Sequence, residues 1–213
     1  MREINSWEMM GNLRASDMEI CLGLKTPTPD VIREYIRRFE QNDYAANTEK
    51  SIRRLVDAFP GNAQIEDVLL KVTAINRLYS TNLYAVYPMA QHIVGLNIDP
   101  RLKEHDPELV AEIANLQMGE KRRFFYSFAT KYCSWHAQDG YPIYDSFVDR
   151  LLRLYRQQDS FASFTNAELW HYPTFRSVIQ AFQRHYGLTE FSCKEVDKFL
   201  WVYGQEYAAG KAA

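Results

Sequence analysis

Lys131 and Asp145 are the residues whose types and spacing could do chemistry. An amine closes the aromatic run Phe124-Phe125-Tyr126-Ser127-Phe128-Ala129-Thr130-Lys131, and a carboxylate follows Tyr141-Pro142-Ile143-Tyr144. On a helix, positions 124, 128, 131, 132 and 135 fall near one face, so Lys131 neighbours Phe124, Phe128 and Trp135. Burial against aromatics disfavours the ammonium and lowers a lysine pKa, which makes the amine nucleophilic near neutral pH. In the alternative, the lysine lays its methylenes over apolar surface and keeps its charge in water. Asp145 also has two readings. Helical periodicity resumes at Phe147, Val148, Leu151 and Leu152, so Asp145 or Ser146 is the expected N-cap, worth about 1 kcal/mol, with Asp149 in the first turn. A carboxylate at a helix entrance also stabilises a cationic transition state or steers a proton.

Other combinations are weaker. Cys133 and His136 share a helical face at i,i+3, with Asp139 as a third group, but a cysteine inside an aromatic helix is more often buried and inert. His136 and Cys133 with His92, His105 or His171 match no recognised metal-ligand spacing. A phosphate-binding glycine loop and a Gly-x-Ser-x-Gly elbow are both missing, which removes support for nucleotide hydrolysis and esterase chemistry.

The elements that must position Lys131 and Asp145 read as helices. Thr28-Pro29-Asp30 supplies a cap, a proline at the first helical position and an acid in the first turn. Val31, Ile32, Tyr35, Ile36 and Phe39 continue it as one stripe. Ile52, Leu55, Val56 and Phe59 make the next stripe, stopped by Pro60-Gly61. A longer one runs from Ile65 through Val68, Leu69, Val72 and Ile75 to Tyr79. Further helices are expected over Tyr87–Leu96, from Asp106-Pro107-Glu108 through Ile113, over Lys121–Trp135 and from Asp145. Thr165-x-x-Glu168 and Ser192-x-x-Glu195 have capping-box spacing, the latter leading into Val196, Phe199, Leu200 and Val202. Trp170-His171-Tyr172-Pro173 reads as an aromatic loop, and the Lys198-Phe199-Leu200-Trp201 stripe as core packing. No alternation marks a strand. The expectation is an all-α fold of about nine or ten helices, either a single domain over residues 1–213 or two helical lobes with the site between them.

The 213 residues are 46% hydrophobic and 14% aromatic, enough for a real core. Net charge is -2, so nothing global advertises a polyanion partner. Residues 121–156 differ: seven Lys/Arg face three Asp. Cys21, Cys133 and Cys193 are scattered without a CxxC, as in reduced thiols of a cytosolic protein. The first residues, MREINSWEMMGNLR, lack a signal peptide's apolar run, and no segment approaches the ~20 apolar residues of a membrane span. A cytoplasmic location is expected, and the closing AAGKAA reads as a frayed tail.

A lysine on one helix and an aspartate opening the next, after an extended aromatic-Pro-Ile segment, resembles the helix-hairpin-helix DNA glycosylases, and in particular their 8-oxoguanine glycosylase/lyase branch. Lys131 falls at the lysine position and Ile143-Tyr144-Asp145 at the Val/Ile-x-Asp segment. Tyr79-Ser80-Thr81-Asn82-Leu83 resembles the asparagine turn that fills the gap left by an extruded base, with Asn82 the matching residue. The resemblance covers residues 65–155. It departs at the hairpin: the family's Leu-Pro-Gly-Val-Gly, whose amides grip a phosphate, is replaced by Lys121-Arg122-Arg123-Phe124-Phe125-Tyr126-Ser127, with Gly119 the only nearby glycine. The interval from Lys131 to Asp145 is also about one helical turn shorter than the family's.

The resemblance implies a DNA-repair enzyme of base excision, a hydrolase and lyase with DNA as partner and neither a metal nor an organic cofactor. Lys131 would attack the sugar and Asp145 would stabilise the cationic charge. Asn82, Phe128, Trp135, Tyr141 and Tyr144 would wedge the duplex or stack on the extruded base. Lys121, Arg122, Arg123 and Arg150 would take the phosphates by charge. A reading from another class is a non-catalytic helical protein that keeps the fold and binds nucleic acid or protein.

Overall fold

Thr28 opens the first helix of the computed structural model, which describes residues 23–210. The N-terminal stretch 1–14, Cys21 and residues 211–213 of the terminal AAGKAA lie outside the described residues. The Thr28 hydroxyl accepts the Val31 amide at 3.3 Å and Pro29 takes the first turn of α1 (Pro29–Gln41), so local capping sets this start. Asn42 caps α2 (Asp43–Ala58) in the same way. α3 (Ile65–Tyr79) follows and ends at Ser80, which adopts a left-handed φ of 50°. Then come α4 (Val86–Gly95), the short α5 (Asp99–Lys103) and α6 (Glu108–Ala114).

The chain next forms an antiparallel hairpin, β1 (Asn115–Met118) and β2 (Lys121–Phe124), with Leu116 opposite Arg123 and Met118 opposite Lys121. The expected helix over Lys121–Trp135 is therefore corrected. Its first four residues are a strand, and α7 begins at Tyr126 (Tyr126–His136). Gly119 at φ +60° makes the tight two-residue turn that a hairpin requires, and its backbone geometry outweighs the local helical pattern.

α8 (Ser146–Asp159), a 3₁₀ turn (Ala167–Trp170), α9 (Tyr172–His185) and α10 (Cys193–Ala208) complete the described residues. His171-Tyr172-Pro173 thus starts α9 rather than forming a loop, with Pro173 in the first turn. The Ser192–Glu195 capping box is formed in both directions. The fold is all-α: ten helices and one small hairpin among the described residues. None of these helices is long and apolar enough to cross a membrane.

α7 is the axis that positions the candidate site. Every residue of it except Ser127 and His136 is buried, so it is covered on all sides rather than along one apolar face. α6 and α3 pack against it, while α10 packs on α1 and α8. Buried apolar side chains from Leu24 to Tyr203 form one connected core.

Candidate active site

The segment that carries Asp145 is fixed to α7 by hydrogen bonds. Proline at 142 holds Tyr141 out of helical geometry, and the extended chain that results must satisfy its backbone away from water. The Thr130 hydroxyl accepts the Tyr144 amide at 3.2 Å, the Lys131 ammonium donates to the Tyr144 carbonyl at 3.2 Å, and the Tyr172 hydroxyl donates to the Pro142 carbonyl at 3.0 Å. Asp145 then caps α8, one carboxylate oxygen accepting the amides of Phe147 and Val148 at 3.0 Å each. The cap is formed, and the Asp145 charge acts on Lys131.

Lys131 does not reach for solvent. Only 4% of it is exposed, its ammonium donates to Ser127 Oγ at 2.7 Å, and Nζ lies 5.6 Å from the centre of the Tyr79 ring. Burial lowers the pKa of this amine, and the Lys194 cation adds to that, against the opposing pull of Asp145 and Asp197. Its surroundings therefore favour the nucleophilic, uncharged form more than an ordinary lysine's do.

Lys131 and Asp145 line the same small cavity, of about 50 Å³. Lys194 and Asp197 of α10 line it too, with Phe39, Tyr44, Tyr79, Ile143 and Trp201 among its apolar walls. Lys194 donates to Asp197 Oδ2 at 3.4 Å and lies 5.3 Å from the centre of the Trp135 ring. Burial opposes the Lys194 charge, but Tyr79, Asp197 and Glu49 outweigh it and raise its pKa. The other oxygen of Asp197, Oδ1, is buried and without a hydrogen-bond partner among the described residues. Burial pushes the Asp197 carboxyl up to about 6, further than Lys194 pulls it down. The arrangement offers a poised amine, an anchored carboxylate and a second carboxylate able to accept a proton near neutral pH.

Lys194 and Asp197 escaped the sequence reading. One signal was present: Lys194 stands in the first turn of a helix, where the dipole disfavours a cation, so its place there needs another explanation.

The residues expected to hold an extruded base are elsewhere. Phe128, Trp135, Tyr141 and Tyr144 are buried in the core and are not among the cavity's lining residues. The Tyr141 hydroxyl donates to the Asp106 carbonyl at 2.9 Å and the Tyr144 hydroxyl to Asp149 at 3.0 Å, so both rings are committed to packing. The physical reason is the complete burial of α7, which leaves its aromatics no open face. Asn82 is exposed at φ 57° in the turn after α3, a conformation asparagine tolerates. That turn is held by Asn76, which bonds both the amide and the carbonyl of Leu83. The end of α3 contributes Tyr79 to the cavity, and Asn82 is not among its lining residues.

The basic region also narrows. Arg153 pairs with Asp149 at 2.7 Å and Arg156 donates to the Phe164 carbonyl. Lys121, Arg122 and Arg123 stand exposed on β2, and Arg150 is exposed on α8 with its guanidinium 5.5 Å from the Tyr207 ring centre. The thiol–histidine alternative fails on protonation. Burial raises the Cys133 thiol pKa, and burial with the Lys71 cation depresses His136 to about 3.

Residues 31–140 match the sequence model of the HI_0787_N family, described as an N-terminal domain. An uncharacterized protein of Haemophilus influenzae (strain ATCC 51907 / DSM 11121 / KW20 / Rd) is 43% identical over 143 residues, which cover 67% of this chain and 68% of that relative. No solved structure matches the chain. The matched stretch contains Lys131 and ends before Asp145, Lys194 and Asp197. By the extent of these matches, the chain belongs to the HI_0787_N family.

Proposed function

We propose that this protein is a DNA glycosylase/lyase-like enzyme that removes a damaged base through a Lys131 Schiff base. The observation that carries the reading is the shared cavity: a buried amine of lowered pKa and the Asp145 carboxylate open into one space. The choice of DNA rests on the resemblance of Lys131, Ile143-Tyr144-Asp145 and the Asn82 turn to the helix-hairpin-helix glycosylases. In the first step the Lys131 nitrogen bonds to the sugar anomeric carbon, and the bond to the base breaks with its electron pair leaving on the base. The proton released from the amine passes to Asp197, whose Oδ1 is free and whose pKa lies near neutrality. Asp145, held in place as a helix cap, stabilises the positive charge that develops on the sugar. Ring opening then gives the Schiff base from which the strand is cleaved.

A second reading has its own support. A cavity of about 50 Å³ is smaller than the ~150 Å³ apolar cavity that holds benzene. A base enters only if the lining opens, and a helical protein that binds without catalysis needs no such opening. Borohydride trapping on oligonucleotides bearing 8-oxoguanine or an abasic site separates the two. The enzyme reading expects a covalent adduct that disappears in Lys131→Ala. Salt-dependent DNA binding with no adduct on either lesion would replace it with the binding reading.

A further inference from the structure

We propose that the outward face of the β1–β2 hairpin, together with Trp170, is a docking surface for an unpaired stretch of DNA. Alternation along β2 puts Arg122 and Phe124 on one face, and register adds their cross-strand partners Gln117 and Asn115. The opposite face carries Leu116, which is buried, so the Phe124 face is the outer one.

Two large aromatics are exposed here, Phe124 at 43% and Trp170 at 45%. They are not loose surface side chains. Phe124 stacks on buried Tyr126 with ring centres 5.5 Å apart and planes within 10°, and Tyr126 stacks on Trp170 at 5.5 Å and 29°. The Tyr126 hydroxyl donates to the Leu169 carbonyl at 3.1 Å, which anchors the turn carrying Trp170. The exposed rings are thus held in place before any ligand arrives, so little ordering cost opposes stacking on them.

Charge selects the occupant. Arg122 shares the outer face with Phe124, while Lys121 and Arg123, also exposed, alternate to the other face of the strand; among the described residues no carboxylate pairs with the three, and Glu120 at the turn is the adjacent acid. A cation beside exposed aromatic faces, on a strand that carries two more exposed cations, suits a nucleic-acid strand, whose phosphates meet the positive charge while its bases stack. A duplex hides its base faces within its own stack, so an unpaired strand is the better fit. The choice of DNA rests on the proposed function, whereas the stacking surface makes no use of Lys131.

The test is fluorescence anisotropy of the full chain with a labelled oligothymidine and with a duplex of equal length. The single strand should bind more tightly, more weakly as salt rises, and with quenching of tryptophan fluorescence. Phe124→Ala and Trp170→Ala should each weaken it roughly 5- to 100-fold, while Trp170→Phe, which keeps a ring, restores most of the affinity. Circular dichroism checks that each variant folds. Equal affinity for both oligonucleotides with no effect of folded Phe124→Ala or Trp170→Ala overturns the proposal. So does preference for polyglutamate over oligothymidine, which would assign the surface to an acidic protein segment. Lys131 is buried and is no part of this surface, and anisotropy reads strand binding without any adduct. Loss of the borohydride adduct alone therefore leaves this surface standing, and loss of ring dependence alone leaves the enzyme reading standing.

Discussion

Lys71 and Lys131 both bury an ammonium in the same helical core, but the groups around them differ in kind. Lys71 of α3 donates to the carbonyls of Phe59 and Gly61 at 2.9 and 2.7 Å and to Asn62 Oδ1 at 2.8 Å. Three acceptors match three N–H donors, and the Tyr132 hydroxyl and Asp99 hold Asn62 in turn. Burial still lowers this amine to about 8, but its donors are spent on tying the turn after α2 to α3. Lys131 has two hydrogen-bond partners among the described residues, an aromatic ring and a cavity with two carboxylates. A depressed pKa therefore does not mark a nucleophile by itself. What distinguishes the candidate is an incomplete set of acceptors facing a space that a substrate atom can occupy.

The comparison can be broken most sharply at the two lysines. Lys131→Ala should reduce the borohydride-stable adduct to background, whereas folded Lys71→Met should still form it. Loss of the adduct in folded Lys71→Met would erase the distinction. Stability should respond in the opposite order. Lys71→Met removes three charge-assisted hydrogen bonds, one of them fully buried, and should cost about 3 kcal/mol or more, against about 1–2 kcal/mol for Lys131→Ala, read from urea unfolding. Equal losses would mean that Lys131 is as structural as Lys71.

Asp197→Asn sharpens the account of the proton. It should slow adduct formation by roughly 100-fold. In wild type the rate should fall as pH drops through about 6, because burial raises the Asp197 pKa to that value and the protonated acid no longer accepts a proton. The variant should lack that inflection in single-turnover trapping, and an unchanged profile would assign the proton elsewhere. The smallest effect on the fold belongs to Asp145. Asp145→Ala should cost about 1 kcal/mol through the lost cap. Asp145→Asn keeps a capping oxygen and should unfold near the wild-type midpoint while still trapping more slowly. If both variants trap at the wild-type rate, Asp145 serves only as the cap.

The parts legible in the sequence were those set by neighbours in the chain. Thr28-Pro29, the Ser192–Glu195 box and the Asp145 cap each depend on residues within one turn, so their types announced them. The hairpin was not legible because its strands are four residues each, and β2 is exposed throughout, leaving no alternation to read. The burial of α7 on every side was not legible because Thr130, Ser134 and Lys131 are polar types. They are buried, and Thr130 and Lys131 are satisfied by the returning 141–145 segment. Asp197 shares a cavity with Lys131 only because α10 folds back onto α1 and α8, a contact that no local spacing records.

The proposed chemistry requires that one buried amine, Lys131, be the reactive one. The most direct measurement is to digest the borohydride-reduced adduct with an abasic-site oligonucleotide and locate the modified residue by mass spectrometry. The sugar remnant should be found on Lys131. A remnant on Lys71, Lys194 or any other amine, or unmodified protein throughout, would contradict it.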